Sequence, residues 1–403
     1  MSVLNILEEK LAETKKQGRF REFLNLERGV QDKPWATSHG HHGERRLNVW
    51  CSNDYLAMSH HPKVLLATTE AVNRVGLGTC GARSISGTSV YHSELETLLA
   101  SAYGKESALL FTTGFGANDA TLSTLCDAIP DLIVFSDELN HASMIYGIRY
   151  SKAEKKIFRH NDVAHLAELL QAADPARPKL IAFESLYSMD GDFAPLAQIV
   201  ALAEQYQALT YLDEIHSAGV YGERGLGYAE QLGLLDKITI IQGGFGKSYG
   251  AAGGYIAAPR SVVEAVRSWA PAFVFSTSSP APVVAAALAS FKYNFEHDTQ
   301  RKHLLAIVDH LKTGLRAAGI PLVSADSHIL PLRVGDPHRN KHISKVLLDE
   351  HDIYVQPVNA PTVPAGSERL RVTPTSAHSH ADVETFLAAL GRVWAANDLR
   401  RAG

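Results

Sequence analysis

Short apolar runs alternate with longer amphipathic stretches through the middle of the chain. The runs include "ALLFTTG" (108–114), "LIVFSD" (132–137), "KLIAFES" (179–185), "LTYLDEIH" (209–216), "ITIIQGG" (238–244) and "GGYIAAP" (253–259). Between them lie helical patterns such as "AQIVALAEQYQA" (197–208). Strand, helix, strand in repetition predicts a mainly parallel sheet covered on both faces. Before this region, Leu4, Ile6, Leu7 and Leu11 predict a short amphipathic helix from Val3 to about Lys16. The following "KPWATSHGHHGERR" is polar and glycine-broken, and reads as an arm or loop.

After Pro280 the pattern changes. One long helical stretch (281–319) leads into "HILPLRVGD", "IYVQPVN" and "ERLRVTP", then a last helix near "HADVETFLAALGRVWAAN". Ser379 and Asp382 have capping-box spacing at its start. The expected division is an N-terminal helix and arm (1–47), a large α/β domain (48–285) and a smaller α+β C-terminal domain (286–403). At 403 residues the chain has ample length for such a division.

Charge and composition narrow the function. The 39 basic and 43 acidic residues are interspersed and give a net charge of −4, so no nucleic-acid surface is expected. Cys51, Cys80 and Cys126 lack metal-type spacing and fit a reducing compartment. The first residues carry no signal-peptide apolar core, and no apolar run approaches the ~20 residues that span a bilayer. The expectation is a soluble, cytoplasmic protein without a membrane partner.

Lys247, inside "GGFGKSYGAAGG", is the first chemical question. A phosphate-cradling P-loop needs a glycine at 241, which is Ile241, so that reading fails. Covalent chemistry or a surface position remain. Asp213 ends a buried apolar strand, with His216 three residues on, and an acid there needs a partner. A protonated pyridine nitrogen is one such partner; backbone donors or an arginine are others. His141 follows another strand and is either structural or suited to stacking on a flat cofactor. Gly114 and Phe115 stand at a strand-to-helix turn whose free amides suit a phosphate. Hydroxyls in "FVFSTSS" suit a phosphate too, or simply end a strand. His39, His41 and His42 lack a rigid frame for ligand geometry, so no metal site is expected.

The order "TTGFGAND", "SDELNHASMI", "ESLYSMDGD", "LDEIHSAG", "GGFGKSYG", "FSTS" and "RLRVTP" resembles the α-oxoamine synthases. These are fold-type I pyridoxal 5'-phosphate enzymes that join an amino acid to an acyl-CoA with loss of carbon dioxide. The likeness covers almost the whole chain and is strongest to the branch that uses glycine and succinyl-CoA and supplies a haem precursor. It implies that Lys247 forms the Schiff base with the cofactor and later removes the α-proton. It further implies that Asp213 pairs with the ring nitrogen, His216 reaches the ring oxygen with Ser188 nearby, and His141 stacks on the ring. Gly114, Phe115 and Thr277 would bind the phosphate, Thr277 from the neighbouring subunit of a homodimer. Arg371 and Asn53 would hold the amino-acid carboxylate. Arg21 would grip the succinyl carboxylate, Thr362 and Ser136 would lie on the acyl side, and Lys155 on the CoA side.

Three departures from the family pattern bear on cofactor and substrate. Gly244 stands where the family has a threonine, which removes a hydroxyl from the phosphate cup. Ala82 and Ser84 replace a threonine near the amino acid and an asparagine near the succinyl carboxylate. The "GFG" of 114–116 and "KSYG" of 247–250 are looser versions of the usual motifs. A larger amino acid (alanine, serine or 2-aminobutyrate) or another acyl-CoA is the alternative that these changes leave open.

Overall fold

The computed structural model describes residues 3–20, 22–40 and 43–397. It divides into two compact units, one formed by 56–187 and 193–301, the other by 1–55, 188–192 and 302–403. The expected boundaries at 47 and 285 are therefore drawn differently. The N-terminal segment packs with the C-terminal part of the chain instead of forming a separate arm.

The first unit holds a seven-stranded sheet. Its strands are β1 (Ser107–Phe111), β2 (Ile133–Asp137), β3 (Glu154–Phe158), β4 (Lys179–Glu184), β5 (Leu209–Asp213), β6 (Ile240–Gly244) and β7 (Gly254–Ala258). The order across the sheet is β1-β7-β6-β5-β4-β2-β3, and only the pairings of β7 are antiparallel. Along the strands alternate residues enter two separate cores. Phe135, Ile181, Phe183, Leu212 and Ile241 belong to one, and Val134, Leu180, Ala182, Tyr211 and Ile240 to the other. Burial on both faces is why these strands read as continuous apolar runs.

In the second unit the "KPWATSHGHHGERR" stretch is no loop. Trp35–Gly40 and Gly43–Val49 pair antiparallel, and the latter strand pairs parallel with Ile353–Tyr354. Ala36 and Leu47 face inward and the polar positions stay at the surface, which hid the strands. His39 bonds Glu27 through Nε2 at 3.0 Å, whereas His41 and His42 lie outside the described residues. Leu330–Arg333, Arg369–Val372 and Gln356–Val358 form a second, antiparallel sheet. The long helical stretch is two helices, Ala281–Glu296 in the first unit and Thr299–Ala317, which runs on into the second. The Ser379 box forms as expected: Asp382 N donates to Ser379 Oγ and Ser379 N to Asp382 Oδ2.

Candidate active site

The carboxyl ends of parallel strands are where such sheets bind ligands. There β4 ends in Glu184 and β5 in Asp213, side by side in register. They line a cleft of about 320 Å³ together with Thr113, Gly114, Phe115, Asn118, His141, Ile215, His216 and Lys247. Six of the residues expected to meet the cofactor thus share one cleft.

Asp213 is buried and held by two donors: Asn118 Nδ2 to Oδ2 and Ile215 N to Oδ1, both at 2.8 Å. Burial pushes its carboxyl up, and Asn118, Ile215, His141 and Lys247 oppose that shift. Asn118 is fixed in turn by Tyr211 Oη, which donates to its Oδ1 at 2.7 Å. His141 caps the helix α2 (Ala142–Arg149). Ser143 N donates to His141 Nδ1 at 3.2 Å, and Ser143 Oγ lies 2.6 Å from the same nitrogen. Because an N–H can only donate, Nδ1 is the acceptor and the neutral ring carries its proton on Nε2. Burial lowers the affinity of this ring for a second proton, Asp213 works against that, and Lys247 adds to it. The edge of Phe115 meets His141 at a centroid distance of 6.4 Å.

Lys247 sits on a loop folded onto itself by Phe245 N to Gly253 O and Ala251 N to Phe245 O, both 2.9 Å. Gly250 has φ +60°, and a Cβ there would lie 2.0 Å from Ser59 N, so glycine is required for the loop to seat. Helix α1 (Gly114–Ala128) starts at the cleft. Thr113 takes the N–H groups of Gly116 and Ala117, while those of Gly114 and Phe115 fall at the helix start, where no intrahelical acceptor exists.

Gly244 has a steric reason. A Cβ at 244 would stand 2.8 Å from Ile215 Cδ1 and 2.9 Å from Cγ1. Ile215 therefore occupies the volume that a threonine there would need. We expect Gly244→Thr to destabilise the apoenzyme by about 1–3 kcal/mol. Adding Ile215→Val should recover part of that loss, as a coupling of about 0.5–3 kcal/mol in a denaturant double-mutant cycle. Additive effects would show that the two positions do not share this space.

Other expected residues fall elsewhere. In the second unit Arg371, only 7% exposed, donates through Nε to Ser188 O (2.7 Å), through Nη1 to Asn53 Oδ1 (3.0 Å) and through Nη2 to Tyr55 Oη (3.2 Å). Tyr55 was not legible as part of this group. Thr362 is exposed there. Ala82 and Thr277 meet in an antiparallel bridge, with Thr277 and Ser84 exposed. Lys155 is exposed on β3 and donates to Arg149 O at 2.7 Å. Ser136 was expected on the acyl side. It is buried inside β2, and its hydroxyl is taken by Asn140 Nδ2 and Asp137 O. Arg21 lies outside the described residues. Asn118, Ser143 and Glu184 were missed, although each is a polar residue where the pattern calls for core and so needs a partner.

Residues 46–390 match the family model for aminotransferase class I and II. A 5-aminolevulinate synthase of Rhodobacter capsulatus is 49% identical over 96% of this chain and 95% of its own. One of Paracoccus denitrificans is 49% identical over 98% of each. A solved serine palmitoyltransferase of Sphingomonas wittichii superposes with a TM-score of 0.91 at 31% identity, covering 99% of both chains. A high-resolution structure of SPT with PLP internal aldimine gives 0.93 at 31% identity over 99% of this chain and 100% of that one. The chain belongs to the aminotransferase class I and II family, and within it to the 5-aminolevulinate synthase branch of the α-oxoamine synthases.

Pyridoxal 5'-phosphate is the cofactor of this family, and the cleft fits it. Its volume is within the range of ligand pockets. It offers a buried carboxylate, a flat imidazole, a lysine and a helix start with outward amides.

Proposed function

We propose that the protein condenses glycine with succinyl-CoA to give 5-aminolevulinate, CoA and carbon dioxide, and so supplies a precursor of haem and other tetrapyrroles. The observation that carries this reading is identity of about half over nearly the full length with 5-aminolevulinate synthases. The cleft supports it with the groups the chemistry needs.

Bound at this cleft, the cofactor supplies an electron-withdrawing ring that accepts the electron pair of a bond broken at the amino acid's α-carbon. Lys247 would anchor that cofactor and, with its amine free, would take the α-proton. Asp213 would receive the ring N–H and so favour the ring's positive charge. His141, its orientation fixed by Ser143, would cover a ring face. His216, with Ser188, would serve the ring oxygen, and the amides of Gly114 and Phe115 would take the phosphate. Arg371 and Asn53 hold the glycine carboxylate through the arginine fork. The α-carbon then bonds to the thioester carbonyl carbon, the C–S bond breaks and CoA leaves. Loss of the glycine carboxylate as carbon dioxide and return of a proton complete the product.

On the acyl side, Arg21, Ser84 and Thr362 are proposed for the succinyl chain and Lys155 for CoA. The working form is a cytoplasmic homodimer in which Thr277 completes the neighbour's phosphate site. No helix among the described residues is long and apolar enough to cross a membrane.

The test is competition. Purified enzyme given succinyl-CoA and equimolar glycine, alanine, serine and 2-aminobutyrate should yield chiefly 5-aminolevulinate by mass spectrometry. Ala82 leaves a one-carbon difference to be discriminated by about 1–3 kcal/mol. A dominant product carrying an extra side chain would overturn the glycine assignment.

A further inference from the structure

Two acids end adjacent parallel strands in the cleft floor. Glu184 and Asp213 are register partners, 3% and 2% exposed. Their surroundings differ. Asp213 receives two N–H donors, from Asn118 and Ile215, and faces His141 and Lys247. Glu184 receives one, from His141 N at 2.6 Å to Oε1. Asp213 and Asp137, at the ends of β5 and β2, place negative charge beside it, and Tyr187 packs close. His160 is the imidazole that faces it, and that ring is already bonded to Asp137 at 3.0 Å.

Like charges on neighbouring buried positions cannot both persist cheaply, so one member of such a pair keeps a proton. The donors decide which. We propose that Glu184 is a positioning residue that stays protonated at neutral pH, leaving Asp213 as the ionised member of the pair. This rests on the reading of the cleft as the cofactor site. Burial, with Asp213 next in size, pushes the Glu184 carboxyl well above the usual range, in agreement with the geometry.

The proton has two effects. Glu184 Oε1 still accepts the His141 N–H, which fixes the start of α2 and the imidazole it carries. A neutral Glu184 also spares Asp213 a second negative charge. Were Glu184 ionised, Asp213 would hold a proton and could no longer accept one from a ring nitrogen.

Infrared spectroscopy of the apoenzyme tests this without substrate or cofactor. The wild type at neutral pH should show a protonated-carboxyl carbonyl stretch that Glu184→Gln loses. Glutamine keeps an oxygen for the His141 N–H, and thermal melting checks the fold. In Asp213→Asn the same band should disappear at a pH lower by about one unit or more, because the neighbouring charge is gone. If Glu184→Gln does not fold, ¹³C-glutamate labelling of the wild type and Glu184→Asp gives the same comparison by NMR. Absence of a Glu184 band or signal in the protonated form at neutral pH overturns the proposal, as does a titration unmoved by Asp213→Asn. Either failure would leave the glycine and succinyl-CoA reading intact, and failure of that reading would leave these spectra unchanged.

Discussion

Lys247→Ala is expected to lower turnover at least ~10³-fold, because in the proposed function it removes both the covalent anchor of the cofactor and the base for the α-proton. Reductive trapping should tag the peptide around Lys247 in the wild type and no peptide in the variant. The fold should survive. The loop is seated by Gly250 against Ser59 and by the backbone bonds of Phe245 and Ala251, none of which uses the lysine side chain. Measured kcat within tenfold of the wild type would remove Lys247 from the chemistry and return it to the surface reading.

The second large effect falls on Arg371. Its guanidinium is buried and makes three hydrogen bonds, to Ser188 O, Asn53 Oδ1 and Tyr55 Oη. Truncating one partner of a buried, hydrogen-bonded charge pair costs about 2–5 kcal/mol. At 1.4 kcal/mol per decade, Arg371→Ala should lower kcat/KM for glycine by about 30-fold to several thousandfold. Arg371→Lys keeps the charge and loses the fork, so it should recover only part of this. KM for succinyl-CoA should move little. Equal loss toward both substrates, with an unchanged melting temperature, would argue against a carboxylate-holding role.

Legibility in the sequence followed burial. The six strands buried on both faces were readable as apolar runs. Strand β3, "EKKIF", was not. It lies at the sheet edge with Lys155 and Ile157 exposed, and its mixed character resembles a loop. The break after Glu296 is equally silent, because "EHDTQ" contains neither proline nor glycine to announce it. Asp213 stood out as an acid ending an apolar strand, Lys247 as a lysine among glycines and His141 on the loop after a strand. The role of Glu184 could not, since its proton depends on which strand lies beside β4, a fact of sheet order. Gly244 looked like a lost hydroxyl in the sequence and becomes a matter of volume only beside Ile215.

The strand Gly43–Val49 has a neighbour that is made late. Arg45 bonds Asp352 at 2.7 Å across 307 positions of chain, next to the parallel pairing with Ile353–Tyr354. At about 5–20 residues per second, the ribosome leaves that strand's outer edge without its partner for roughly 15–60 s. Leu56–Tyr187 and Phe193–Arg301, which form the unit holding the cleft, are complete before that wait ends. An unpaired edge is an invitation to the wrong partner. Here Glu44, Arg45 and Arg46 place charges along it, the kind of residue with which exposed edges are blunted.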